Sequence, residues 1–244
     1  MKKRVQGIVL RNPVRHSDRA DILTVYSPEH GRLSVVVPAG GGATVRHRKA
    51  AFMPLSVIEF MMPENIIGRL PHASSFTLVF SYKSLYFNPL KSAIGMMLAE
   101  FLNRLLRDSS PDSLMYSYIV NSMRLLDDIK DEKWLANFHI AFLTGIASFA
   151  GITPDVSDYS EGALFDLVAG RYSKILPPHN HILMGDDAKI PHLLSRMNFA
   201  NQRLFKFTRQ QRRDLIEGIL RYFGLHFPGT DNLNSLEILY TLFD

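Results

Sequence analysis

The chain has 244 residues, 46% of them hydrophobic, with 28 Lys and Arg against 23 Asp and Glu and no cysteine. This length and apolar content allow one large domain or two modest ones with a sizeable core. The lack of thiols excludes disulfides, thiolate zinc sites and a cysteine nucleophile, and fits a reducing compartment. The net charge of +5 is unevenly spread. Residues 1–50 carry ten cations (Lys2, Lys3, Arg4, Arg11, Arg15, Arg19, Arg32, Arg46, Arg48, Lys49) and three acids (Asp18, Asp21, Glu29), a net of +7, which leaves −2 for the rest. Such asymmetry speaks of polyanionic partners, with a merely solvated basic surface as the plain alternative. The opening Met-Lys-Lys-Arg leads into a short apolar run broken by Gln6, Gly7 and Arg11, unlike a signal peptide. No window approaches the roughly 18–20 apolar residues of a membrane span. A cytoplasmic protein without membrane contact is expected.

Four runs rich in β-branched and aromatic residues open the chain: Val5–Leu10, Ile22–Tyr26, Leu33–Val37 and Leu55–Phe60. Between the first two, Asn12–Asp21 is polar, begins with an Asn-Pro turn signal and reads as a loop. Ser27-Pro28-Glu29-His30-Gly31 reads as a hairpin turn in which Gly31 takes a positive φ. Gly40-Gly41-Gly42 runs into Arg46-His47-Arg48-Lys49 without the Gly-Lys-Ser/Thr of a phosphate loop, so a flexible basic loop is the better reading. Phe76–Phe80 is either a fifth strand or the opening of a helix.

From about Lys83 the period changes from two to 3.6. Ile94, Met97, Leu98, Phe101, Leu102 and Leu105 share one helical face. A second helix starts near Ser110-Pro111-Asp112. A third, very apolar, spans Trp134–Gly151, with Gly151 as C-terminal cap and Pro154 beyond. Residues 163–172 read as a two-stranded excursion turning at Ala169-Gly170, and Pro177–His181 as loop. Helices resume at Ile190–Met197 and from Thr208. Thr208-Arg209-Gln210-Gln211 matches a capping box, and this helix ends at Gly224. A last helix covers Leu236–Leu242.

Three constellations carry chemistry. The N-terminal cations pair with phosphates, and an aromatic such as Tyr26 can stack on unpaired bases, although charged edges also guard sheets against aggregation. Arg203-Leu204-Phe205-Lys206-Phe207-Thr208-Arg209-Gln210-Gln211-Arg212-Arg213 holds five cations and no acid at a helix N-terminus, where the dipole disfavours them. An acidic partner or a phosphate backbone would fit, as would a solvated helix start. His179, His181 and Asp186 could suggest a metal-dependent hydrolase, but their spacing matches no metal motif. Asp127-Asp128 reads as a solvated pair. No nucleophile motif stands out, so no catalytic residue is expected and the protein is read as a non-enzyme.

The order of Gly7-Ile8-Val9-Leu10, Asp21-Ile22-Leu23-Thr24-Val25-Tyr26-Ser27-Pro28-Glu29-His30-Gly31-Arg32-Leu33-Ser34, Leu98–Leu102, Asn137–Leu143, Tyr222–Phe227 and Ser235–Leu239 resembles the RecO family of recombination mediators, along essentially the whole chain. The resemblance implies an α+β protein: an N-terminal oligonucleotide-binding (OB-fold) β-barrel, 1–80, followed by an all-helical domain, 81–244. It also implies binding of single- and double-stranded DNA, strand annealing, and contact with the acidic C-terminal tail of single-strand binding protein. Partnership with RecR in loading RecA belongs to the same implication, placing the chain in DNA-damage repair by the RecFOR pathway. Many members insert a four-cysteine zinc module after a Leu-Gly-x-x-Pro segment, here Ala150-Gly151-Ile152-Thr153-Pro154. Without cysteine this chain departs there, and a short β-hairpin insertion at about 155–175 takes the place.

The expectation is therefore a DNA-binding mediator that needs no cofactor or metal. Arg4, Arg11, Arg15, Arg19, Arg32, Arg46, Arg48 and Lys49 are assigned to DNA. Arg203, Phe205, Lys206, Arg209, Arg212 and Arg213 are assigned to the single-strand binding protein tail or to a second DNA site. An RNA-binding OB-fold protein is the alternative, and the metal-dependent hydrolase a more distant one.

Overall fold

The computed structural model describes residues 1–39, 50–65 and 70–243, the last without its side chain. The chain divides into two compact units, Met1–Asp128 and Ile129–Asp244.

The first unit is built on five antiparallel strands, β1 (Lys2–Ser17), β2 (Ala20–Ser27), β3 (Gly31–Pro38), β4 (Val57–Pro63) and β5 (Ser74–Leu78), in the order β3-β2-β1-β4-β5. Alternate side chains share one face, so Val5 and Val9, Leu23 and Val25, Val35 and Val37, and Ile58, Phe60 and Met62 converge on a common core with Phe52 and Ala73. Each such side chain contributes about 1.5–3 kcal/mol on burial. Edge strand β3 also meets the residues just ahead of β5. Val36 N–H donates to Pro71 O at 2.8 Å and Ala73 N–H to Val36 O at 2.9 Å, a single parallel bridge between Val36 and His72. Among the described residues the seam is this one bridge rather than a full ladder. Phe76–Phe80 resolves in favour of a strand, β5.

β1 departs from the expectation. The stretch read as a loop from Asn12 continues the strand through Ser17, paired with β2 as far as Ala20. The register shifts between Val9 and Arg11, between Arg11 and Val14, and between Arg15 and Ser17. Such irregularities are where a strand tolerates a residue without an N–H, and they accommodate Pro13. Gly31 opens β3 at φ +64°, as its place in the turn predicted.

Two helices follow, α1 (Pro89–Leu105) and α2 (Ser113–Asp128). Asn88 caps α1 by accepting from Lys91 N–H at 3.1 Å, and Ile94, Met97, Leu98, Phe101, Leu102 and Leu105 are buried as their spacing predicted. α2 lies over β2: the Tyr26 hydroxyl reaches Met115 S at 3.8 Å, and the Tyr26 and Tyr116 rings are 6.4 Å apart. Asp127 is not the solvated acid that its sequence context suggested. Its carboxylate accepts from the backbone N–H groups of Lys83 (2.8 Å), Ser84 (2.7 Å) and Leu85 (2.7 Å), while Lys91 Nζ donates to its carbonyl at 2.6 Å. Partial burial works to raise its pKa, but the hydrogen bonds outweigh it and hold the carboxyl below the usual value. Asp127→Ala is expected to cost about 2 kcal/mol, measured by urea unfolding, because three donors lose their acceptor. A depressed carboxyl contributes stability above its unfolded pKa and loses it as pH falls through the folded value, so the penalty should fade in acid below about pH 4.

The second unit contains α3 (Glu132–Leu135), α4 (Phe138–Phe149), β6 (Leu164–Asp166), β7 (Arg171–Ser173), β8 (Ile182–Leu183), α5 (Ile190–Leu194), α6 (Arg209–His226) and α7 (Leu236–Phe243), with 3-10 turns at Asp187–Lys189 and Gln202–Leu204. The single helix expected over Trp134–Gly151 is two. Asn137 breaks it at φ −115°, ψ 4°, and its buried amide donates to Gln202 O (2.9 Å) and Phe205 O (2.8 Å). α6 begins with the predicted capping box, Thr208 N–H donating to Gln211 Oε1 at 2.9 Å and Gln211 N–H to Thr208 Oγ1 at 3.2 Å. It runs past Gly224 to His226. That glycine is explained by close approach, because an added Cβ would lie 2.6 Å from the Asp231 side chain. The hairpin β6–β7 forms as predicted, and β8 adds a third strand through Phe165 and Leu183. Phe165, Leu167, Tyr172, Ala188 and Tyr222 make its apolar core. Packing fastens this excursion, whose residues offer no thiolate to a zinc ion.

Candidate nucleic-acid interface

Beyond Leu10 the β1–β2 hairpin leaves the core. From Arg11 to Arg19 every residue is exposed except half-buried Pro13, so both faces of the ribbon meet solvent. Arg11 stands opposite Thr24, Arg15 opposite Asp21, and Arg19 lies in the turn between Ser17 and Ala20. At about 3.3 Å per residue the run from Arg11 to Ser17 spans roughly 20 Å, enough to follow several phosphates. Arg15 is 3.5 Å from Asp21 and Arg4 3.6 Å from Glu59, in each case an exposed arginine on a half-buried carboxylate. Pairs of that kind are worth about 0–1 kcal/mol, so a phosphate can replace the carboxylate at little cost. Arg11 and Arg19 form no ion pair among the described residues.

Arg32 is placed differently. Its guanidinium is half-buried and donates to Asn103 O at 2.5 Å. Burial, then the neighbouring charges of Arg11 and Arg107, lower its pKa. Arg107, just past α1, therefore belongs to the positive patch. Sequence reading missed it because it stands alone after a helix, and only packing brings it near Arg11 and Arg32. Arg46, Arg48 and Lys49 lie outside the described residues. Tyr26 is fully buried, so it cannot stack on a base as its strand position suggested.

In the second unit Arg203 lies over the Trp134 ring (5.1 Å) and Arg213 over Tyr240 (4.8 Å). Arg212 donates to Phe207 O at 2.7 Å, and burial, then Arg209, lower its pKa. Lys206 is exposed, while Phe205 and Phe207 are half-buried with ring centres 6.1 Å apart. Arg209, Arg212 and Arg213 line a small cleft of about 20 Å³ with His139, Ile216, Leu239 and Tyr240. Three cations beside an apolar floor suit an anionic chain end with an apolar neighbour.

His139 is fully buried there. Desolvation, with a lesser push from Arg212, lowers its pKa to about 3. It stays neutral in the fold but titrates near 6.5 when unfolded. Stability should therefore fall as pH drops from about 6.5 toward 3, where the unfolded chain binds the extra proton. His139→Phe, compared with the unsubstituted chain by thermal melting at pH 7 and pH 5, should flatten that slope.

The residues considered for a metal do not converge. His179 Nε2 is 3.4 Å from Asp166 Oδ1, whereas Asp186 is held by Lys189 at 2.7 Å. Among the described residues no group of three or more His, Asp or Glu could hold a metal ion.

A five-stranded antiparallel sheet extended into an exposed arginine ribbon, followed by helices, defines an α+β protein with a basic surface. Residues 86–236 match the family described as Recombination protein O C terminal. The chain is 33% identical over 244 residues to the DNA repair protein RecO of Azobacteroides pseudotrichonymphae and 32% identical over 246 residues to that of Phocaeicola vulgatus. It is 34% identical over 250 residues to that of Bacteroides fragilis. In all three comparisons the alignment covers 100% of both chains. The chain belongs to the RecO family. No helix of the described residues is long and apolar enough to cross a membrane.

Proposed function

We propose that this protein is a DNA repair and recombination mediator that binds single- and double-stranded DNA, brings complementary strands together, and acts by binding rather than by catalysis. The observation that carries the reading is the exposed ribbon bearing Arg11, Arg15 and Arg19, beside Arg4 and the Arg11–Arg32–Arg107 patch. Cations on an exposed two-stranded arm screen phosphate charge and release counterions, which lets two like-charged strands approach. Arg46, Arg48 and Lys49, outside the described residues, are assigned to DNA by their charge alone, and segment 1–80 is the nucleic-acid-binding part of the protein. Arg32, tied to Asn103, contributes charge from beneath. The protein works in the cytoplasm at the nucleoid, with RecR, to load RecA on DNA coated by single-strand binding protein. Annealing of complementary strands so coated, with and without the chain, tests this. An unchanged annealing rate removes the mediator reading, and a strong preference for RNA of the same sequence transfers it to RNA.

The acidic C-terminal tail of single-strand binding protein is proposed to dock at Arg209, Arg212 and Arg213, with Arg203, Phe205 and Lys206 beside it. The cleft with its apolar floor supports this. A labelled tail peptide should bind a variant carrying Arg209→Ala and Arg212→Ala at least about tenfold more weakly, since charge-assisted hydrogen bonds are worth about 1.5–3 kcal/mol each. Equal affinity removes the assignment.

A further inference from the structure

A cavity of about 410 Å³ opens in the second unit among α4, α5, α6 and the small sheet. Its walls are apolar, with Leu143, Phe165, Leu194, Leu215, Ile219 and Phe223 among them. The volume falls in the range of small-molecule sites, about 300–1,000 Å³.

Two further observations point to an occupant and to its chemistry. Gly218 lines the cavity from the middle of α6, and a Cβ added there would meet no atom within 4 Å. Glycine is the poorest helix former after proline. Here it serves no turn and no close approach within the chain; it is exposed, and a side chain added there would stand in the open space at the cavity mouth. Gly145 of α4 lines the same space. The charged groups of the lining are the exposed Asp187 and Asp214, with no Lys, Arg or His among them. The Tyr222 hydroxyl is already committed to Ile152 O at 2.8 Å, whereas the exposed Asp214 accepts at Oδ1 from Gln210 Nε2 at 2.7 Å.

We propose that this cavity binds a small amphiphile, with its apolar body inside and a cationic or hydroxyl end at the Asp187 and Asp214 carboxylates. The charge pattern is opposite to that of the arginine cleft, so an anionic ligand is disfavoured by both carboxylates. The site is separate from the proposed DNA and tail contacts and does not rest on them.

Isothermal titration of the full chain with n-octylammonium, n-octanol and n-octanoate tests the proposal with one apolar body and three head groups. The ammonium compound should saturate at one per chain, and octanoate should bind at least about tenfold more weakly. Gly218→Leu, which fills the space from the wall, should abolish saturable binding while raising the melting temperature. Gly218→Ala, the milder change, should weaken binding and also raise it. Asp214→Asn should narrow the gap between ammonium and carboxylate. The proposal is overturned if neither ammonium nor alcohol saturates, if octanoate matches the ammonium compound, or if both Gly218 variants fold and bind unchanged.

Discussion

A variant with Arg11→Glu, Arg19→Glu, Arg4→Gln and Arg15→Gln is expected to lose at least about a hundredfold in affinity for a single-stranded oligonucleotide at low salt. Glutamine is chosen at Arg4 and Arg15 because Glu59 and Asp21 are their ion-pair partners, and a reversed charge there would set like charges together. Each lost phosphate contact should lower the slope of log affinity against log salt by about 0.7 for a single strand. Four lost contacts should flatten it by roughly 3. All four side chains are exposed, so the melting temperature should stay within a few degrees. Fluorescence anisotropy across a salt series reads both quantities. An unchanged slope with a folded variant would falsify the assignment of DNA to the β1–β2 ribbon.

The largest effect on stability is expected at Gly31. The residue sits at φ +64°, and an added Cβ would lie 2.5 Å from Ser109 O and 2.9 Å from Ser110 C. The strained backbone costs a side-chain-bearing residue about 1–3 kcal/mol, and the collision is with main chain that cannot rotate away. Gly31→Ala should therefore destabilise by about 3 kcal/mol and lower the melting temperature by roughly 6–12 °C. The same position should matter little to DNA affinity per folded molecule, which separates it from the ribbon. A loss below about 1 kcal/mol in urea unfolding would mean that the Ser109–Pro111 turn yields.

The ribbon shows where local signals mislead. Asn12-Pro13 is a turn signal, and the polar run after it has no apolar alternation to mark a strand. Backbone pairing to β2 makes it one, because bulges absorb the proline and solvent accepts either face. Arg107 and Tyr26 are the complementary cases. A cation alone in sequence joins a patch by packing, and an aromatic that looked available for stacking is taken by Met115 and Tyr116. Asp127 had no sequence signal at all, since its partners are the backbone N–H groups of residues 83–85, more than forty positions away.

By itself the sequence determined what depends on neighbours a few positions apart. The helical face of α1, the Thr208–Gln211 capping box, the left-handed turn at Gly31 and the β6–β7 hairpin all follow from period, cap chemistry and backbone sterics. The charge asymmetry, a sum over the sequence, was equally legible. Only the tertiary structure decided which cations stay in solvent, which are tied down as Arg32 is to Asn103, and which side chains line the apolar cavity of the second unit. Those outcomes depend on which surfaces meet, and burial and hydrogen-bond satisfaction are fixed by contacts between residues distant along the chain.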